Sequence, residues 1–177
     1  MTTYDELARL YGEDNIIRLD AEASLARGIT PEDAEFLAHT GMPTYVDVLF
    51  TLRVSGNPKV FTVASVDSGR DSVDVFILGA PTDDPDLRYF IDLRHRYVVL
   101  FAASSSENQA EIVNTSLGDF IEFLYRISLH KQRTADSTSV ERSRAAHELH
   151  AYLEARDPLA FSEPDSWWSM ILGALKQ

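Results

Sequence analysis

Glu111-Ile112-Val113-Asn114-Thr115-Ser116-Leu117-Gly118-Asp119-Phe120-Ile121-Glu122-Phe123-Leu124-Tyr125-Arg126-Ile127 is the stretch of this 177-residue chain that decides its fold. It reads as the end of a strand feeding straight into a capped amphipathic helix. Leu117, Phe120, Ile121, Leu124 and Ile127 recur at helical spacing and make one apolar stripe. Ser116 stands at the N-cap, and Asp119, three residues on, reaches back to it while favouring the positive helix start. The pattern predicts a helix packed on a sheet.

Upstream of that helix the apolar period is that of strands. Val48 to Leu52 and Lys59 to Val63 flank the turn residues Ser55-Gly56-Asn57-Pro58, and Val73 to Leu78 follows. Leu87 to Leu93 and Tyr97 to Ala102 read as a hairpin around Arg94-His95-Arg96, and Ala110 to Val113 closes the set. Short turns with no helix between strands predict an antiparallel sheet of about five or six strands. Helices are expected on both sides of it in the chain.

The first helix carries a capping box, Thr3 and Glu6, with Leu7, Leu10 and Tyr11 on one side and Gly12 as its stop. A polar connection is expected after Ile16, Ile17 and Leu19. A second helix starts at Thr30-Pro31 with Glu32 and Asp33 in its first turn, and ends at Gly41 and Pro43. Beyond the central helix, Lys131 to Ser139 reads as a polar connection. A helix from about Thr138 to Ala155 carries Val140, Leu149, Tyr152 and Leu153, and Asp157-Pro158 ends it. Ser166 to Leu175 is a short apolar helix that docks on the body. The fold class is therefore α+β, and residues 1–177 are expected to form a single domain.

Composition narrows the function. The chain has no cysteine, which excludes disulfides, thiolate catalysis and cysteine-based zinc sites. The acidic amino terminus lacks the pattern of a secretory signal. Runs free of Asp, Glu, Lys and Arg, such as Tyr97 to Ser106, reach only about ten residues, against roughly 20 for a transmembrane helix. The expectation is a cytoplasmic protein that binds no membrane. A net charge of −12 repels phosphate backbones, so nucleic acid is not the expected partner, whereas a basic protein is attracted.

Catalytic motifs are missing. No Gly-x-Ser-x-Gly elbow or glycine-rich phosphate loop occurs, and Ser104-Ser105-Ser106 reads as a polar turn. His147 and His150 lie three apart rather than in a His-Glu-x-x-His frame, and read as a solvated helix face; no metal or cofactor is expected. Two features suit a partner surface. Pro81-Thr82-Asp83-Asp84-Pro85-Asp86 is a rigid acidic loop whose Asp83, Asp84 and Asp86 suit a basic partner. Trp167 and Trp168 point about 100° apart on a helix, one for the core and the other for an interface.

Several segments together resemble the SUKH superfamily of bacterial immunity proteins, specifically its fourth family. Thr30-Pro31 to Gly41-Met42-Pro43 resembles that family's early helix, and Phe76-Ile77-Leu78-Gly79 its central strand. Tyr89 to Leu93 with Tyr97 to Leu100 is similar to its hairpin, although Arg94-His95-Arg96 replaces a Gly-Asn or Asp-Gly-like turn and leaves the turn type open. Asn114-Thr115-Ser116-Leu117 is similar to the opening of its signature helix, and the tryptophan pair before Ile171-Leu172 to its ending. The resemblance spans about residues 30 to 175. It implies a non-catalytic immunity protein that occludes a cognate toxin, often a nuclease or nucleic acid deaminase, in a bacterial polymorphic toxin system. The alternatives are a regulatory or scaffolding module for a cellular protein, and an enzyme using unrecognised carboxylates or the histidine pair. The residues leave oligomeric state open.

Overall fold

The computed structural model describes residues 1–67, 72–84, 86–102 and 110–176. Helix α1 (Tyr4–Tyr11) starts with a reciprocal capping box: Thr3 Oγ1 accepts from the Glu6 N–H, and Glu6 Oε2 accepts from the Thr3 N–H. Strand β1 (Ile16–Ile17) pairs antiparallel with β2 (Met42–Pro43). Between them the expected polar connection contains a helix, α2 (Ala21–Ala26), because Asp20 accepts from the Ala23 N–H at 2.8 Å and so caps it. Helix α3 (Pro31–His39) follows with Thr30 as cap and proline at its start.

The expected strand over residues 48–52 is broken into a two-rung hairpin, β3 (Tyr45–Val46) with β4 (Phe50–Thr51). Asp47 turns left-handed at φ +43, and the Leu49 N–H closes the turn on Val46 O. The expected strand from Lys59 starts only at Val63, since Phe61 also takes a positive φ, +59. Strands β5 (Val63–Asp67), β6 (Ser72–Gly79), β7 (Leu87–Asp92), β8 (Val98–Ala102) and β9 (Ala110–Asn114) then form one antiparallel sheet in chain order. The central helix, α4 (Leu117–Arg133), leaves β9 through Ser116, whose Oγ accepts from the Asp119 N–H at 3.1 Å. It continues six residues beyond Ile127, under two turns, so Lys131 to Arg133, expected in a polar connection, are helical. Helix α5 (Ser139–Arg156), a 3-10 turn (Pro158–Phe161) and α6 (Trp167–Leu175) complete the chain.

The helices cover one face of the sheet. Phe76, Leu78, Tyr89, Ile91, Val98, Leu100 and Val113 point into that layer with Leu117, Phe120, Ile121 and Leu124 of α4. Phe120 is the hub: its ring meets Tyr89 at 4.9 Å and Phe50 at 5.9 Å, and Trp168 packs on Phe123 at 5.4 Å. Burying each such ring contributes about 2–3 kcal/mol. The opposite face carries a second apolar cluster, Val75, Ile77, Phe90 and Val99. Part of it lies under the segment before β5, where Ser55 O accepts from Arg88 Nη2 at 2.9 Å.

The Arg94-His95-Arg96 turn has a defined structure. Asp92 Oδ1 accepts from the N–H groups of Arg94 and His95, and Arg96 adopts φ +69.

Candidate functional site

The acidic loop joins β6 to β7 at one end of the sheet, and its geometry follows from Gly79. A Cβ there would stand 2.6 Å from the Phe50 ring and 2.7 Å from Thr51 O, so only glycine lets β4 approach β6 this closely. Thr51 and Ala80 then exchange both backbone hydrogen bonds, at 2.8 and 3.1 Å. Beyond them, Thr82 donates its N–H to Val48 O at 3.0 Å and its hydroxyl to Asp47 O at 2.5 Å. The loop is thereby fastened to the β3–β4 hairpin.

Asp83 and Asp86 are exposed and Asp84 is half-buried. Asp84 Oδ1 accepts from the Asp86 N–H at 3.0 Å, and Pro85 lies outside the described residues. The loop holds three carboxylates at the surface with no chemistry beyond accepting hydrogen bonds and attracting cations.

Trp167 and Trp168 divide as their spacing suggests. Trp168 is fully buried, and its Nε1 donates to Val113 O at 2.9 Å and Asn114 Oδ1 at 3.1 Å, so its side chain offers no surface to a partner. Trp167 is half-buried and meets the Tyr89 ring edge-on at 6.3 Å. Its backbone N–H donates to Glu111 Oε1 at 2.6 Å, which ties the start of α6 to β9. Burial, with a smaller contribution from nearby Asp165, pushes the Glu111 carboxyl above its ordinary range. Residues Gly79, Tyr89, Leu100 and Glu111 are successive partners across the sheet. Trp167 therefore lies at the same end of the sheet as the acidic loop.

Two exposed apolar side chains at this end go unremarked in the sequence reading. Tyr45 is 53 % exposed and Val48 46 % exposed, both on the β3–β4 hairpin. Alternation through residues 48–52 places Val48 in a buried strand; the left-handed Asp47 turns it outward, and no feature of the local sequence announces that turn.

The remaining chemistry-bearing residues are committed to structure. Glu122, buried in α4, accepts from Thr2 Oγ1 at 2.6 Å, Arg126 Nε at 2.8 Å and the Tyr152 hydroxyl at 2.9 Å. Burial opposes its ionisation, but these three bonds outweigh that and hold its pKa at about 2. His147 Nδ1 lies 2.7 Å from Ser143 O on an exposed face, and His150 Nδ1 faces the Lys176 ammonium at 2.8 Å. Burial first, and Lys176 second, depress the His150 pKa. Among the described residues no group of three or more His, Asp or Glu side chains is placed to hold a metal ion, and no helix is long and apolar enough to cross a membrane. Ser104 to Ser106 lie outside the described residues.

No curated protein and no solved structure matches the chain. A family model does, and over nearly its whole length. The capped central helix leaving an antiparallel sheet, the early helix before Gly41-Met42-Pro43 and all but the final residue of the tryptophan-led last helix fall within residues 2–174, the span over which the chain matches the family model, and the chain belongs to the SUKH-4 immunity protein family.

Proposed function

We propose that this protein neutralises a cognate toxin domain by binding it and occluding its working surface, in a bacterial polymorphic toxin system. The toxin is a basic protein, a nuclease or nucleic acid deaminase, because enzymes that act on phosphate backbones carry positive clefts. Family membership supports the immunity role. The observation that carries the rest is the acidic β6–β7 loop, held in one geometry by Thr82 on a chain of net charge −12. Occlusion needs a stable fold and a complementary surface but no catalytic group. Asp83, Asp84 and Asp86 steer the approach, and Trp167 supplies apolar contact at the same end of the sheet; Trp168 supports it from beneath.

The test is affinity capture from the source organism's lysate at low and moderate salt, followed by an activity assay on what is captured. The expected result is one basic toxin domain, held less well as salt rises and inhibited at equimolar ratio. Recovery of cellular housekeeping proteins alone would replace this reading with that of a regulatory module.

A further inference from the structure

We infer that the β3–β4 hairpin, through Tyr45 and Val48, is the apolar anchor on which a basic partner domain seats. This rests on the binding role proposed above and gives it a location.

A scattered exposed apolar residue is normal on a protein surface. Val140, 77 % exposed on α5 beside Glu141 and Arg142, is of that kind. Tyr45 and Val48 differ in two respects. They share one hairpin, and that hairpin is pinned from every side. The Thr44 N–H donates to Asn15 O at 2.8 Å, and the Leu52 N–H donates to Thr44 O at 3.0 Å. The Tyr89 hydroxyl donates to Leu49 O at 3.0 Å from inside the core, and Thr82 bonds both Asp47 O and Val48 O. Lys131 of α4 pairs with the Asp47 carboxylate. The inward residues Val46, Leu49 and Phe50 account for the hairpin's share of the core. Nothing in that packing requires an apolar residue at 45 or 48. An aromatic and a branched aliphatic side chain held outward on fixed backbone lose little entropy when covered, which is how binding hot spots are built.

The surroundings set the sign of the partner. A cleft of about 550 Å³ beside Tyr45 is lined by Asp14, Asn15, Thr44, Leu52 and Arg53. Across the hairpin stand Asp83 and Asp84, one and two residues beyond Thr82. Lys131 and Asp47 neutralise each other, which leaves Asp14, Asp83, Asp84 and Asp86 against Arg53. The excess is negative, and it matches a cationic partner with an aliphatic or aromatic patch.

The experiment is selection of a phage-displayed random dodecapeptide library on the immobilised full chain, with the enriched peptides then synthesised and titrated. Enriched sequences should combine Lys or Arg with aliphatic or aromatic residues. They should bind the Tyr45→Ser/Val48→Ser variant about tenfold more weakly or worse, and the Val140→Ser variant unchanged. Asp83→Asn/Asp84→Asn should weaken them and lessen their salt dependence. All these positions are exposed or half-buried, and unchanged melting temperatures verify that each variant folds. Neutral or acidic peptides, an unenriched library, or undiminished binding to Tyr45→Ser/Val48→Ser would overturn the inference. Overturned while lysate capture still returns an inhibited toxin, it leaves the immunity role standing; upheld while capture returns only housekeeping proteins, it gives the same surface a different basic partner.

Discussion

The guanidinium of Arg96 grips the carboxylate of Asp33 side-on, Nε to Oδ2 and Nη2 to Oδ1, both at 3.2 Å, while Nη1 reaches Glu32 Oε2 at 2.7 Å. Asp33 is only 3 % exposed. The fork joins the β7–β8 turn to the first turn of α3 and holds Arg96 at a positive φ that a non-glycine residue otherwise resists. These same two carboxylates raise the Arg96 pKa further above its already high value.

Arg96→Ala should therefore destabilise the fold by about 3 kcal/mol in urea unfolding, since it strands a buried carboxylate. Arg96→Gly should cost about 1 kcal/mol less, because it removes the backbone strain along with the fork. Arg96→Lys should not restore stability fully, as one ammonium cannot make the paired bonds. Equal stability of the Ala and Gly variants would show that the left-handed backbone carries no cost.

Glu122 predicts an acid-sensitive core. Its folded pKa, about 2, lies below the ordinary 4.5, so the carboxylate's contribution is complete above pH 4.5 and fades as pH falls toward 2. Glu122→Gln should cost about 2–3 kcal/mol at pH 7 and nearly nothing at pH 2. Unfolding free energies of the two proteins, compared from pH 2 to 7, give the difference curve. A constant difference would sink the account.

Trp168→Phe should cost about 2 kcal/mol by leaving Val113 O and Asn114 Oδ1 without their donor, and Trp168→Ala about 4. Intrinsic fluorescence offers a second check. Quenching by iodide should act on Trp167 and spare Trp168, and removing Trp168 should leave a wholly quenchable signal.

Gly79→Ala should separate β4 from β6. The added methyl group meets backbone at Thr51 as well as the Phe50 ring, so the hairpin must shift. Amide exchange at Thr51 and Ala80 should quicken more than at the β7–β8 pair, and global stability should fall by about 1–3 kcal/mol.

For the captured toxin, Asp83→Asn/Asp84→Asn should slow association several-fold at low salt and leave dissociation nearly unchanged. In the parent protein, raising salt to about 0.5 M should give a similar slowing, since screening then acts within a few ångströms. Stopped-flow kinetics at several ionic strengths separate the two rates; association indifferent to salt would remove the steering role.

Much of the fold is legible in the sequence because local chemistry states it. The Thr3–Glu6 box, Thr30-Pro31 and Ser116 with Asp119 each place a helix start to the residue. The meander is readable too, since each strand pairs with its sequence neighbour across a turn. What escapes is set at a distance. Residues 48–52 have a strand's composition, but Asp47 is held left-handed in a hairpin that Thr82 and Tyr89 bind from elsewhere in the chain. Helix α2 is only six residues long, too short to show an apolar period, and Asp20 as its cap is the one local signal of it. Glu122 breaks the apolar face of α4 and looks solvated until Thr2, Arg126 and Tyr152 are brought around it. At the candidate site, the acidic loop is plain in the sequence. Its joining to Tyr45 and Val48 is not, because that depends on the close approach at Gly79 and on the bonds of Thr82 to Asp47 and Val48 across the chain.

Sheet order has a consequence for synthesis on the ribosome. Because β5 to β9 pair only with chain neighbours, each strand can zip onto the last as it emerges, with a short loop to close every time. Helix α1 touches β1 close by in the chain but takes distant bonds from α4. The Tyr11 hydroxyl bonds Leu124 O and Ser128 Oγ, and Thr2 bonds Glu122, across more than a hundred residues. The bonds between α1 and α4 thus wait for α4 to leave the exit tunnel, and this side of the fold closes only after the sheet has been made.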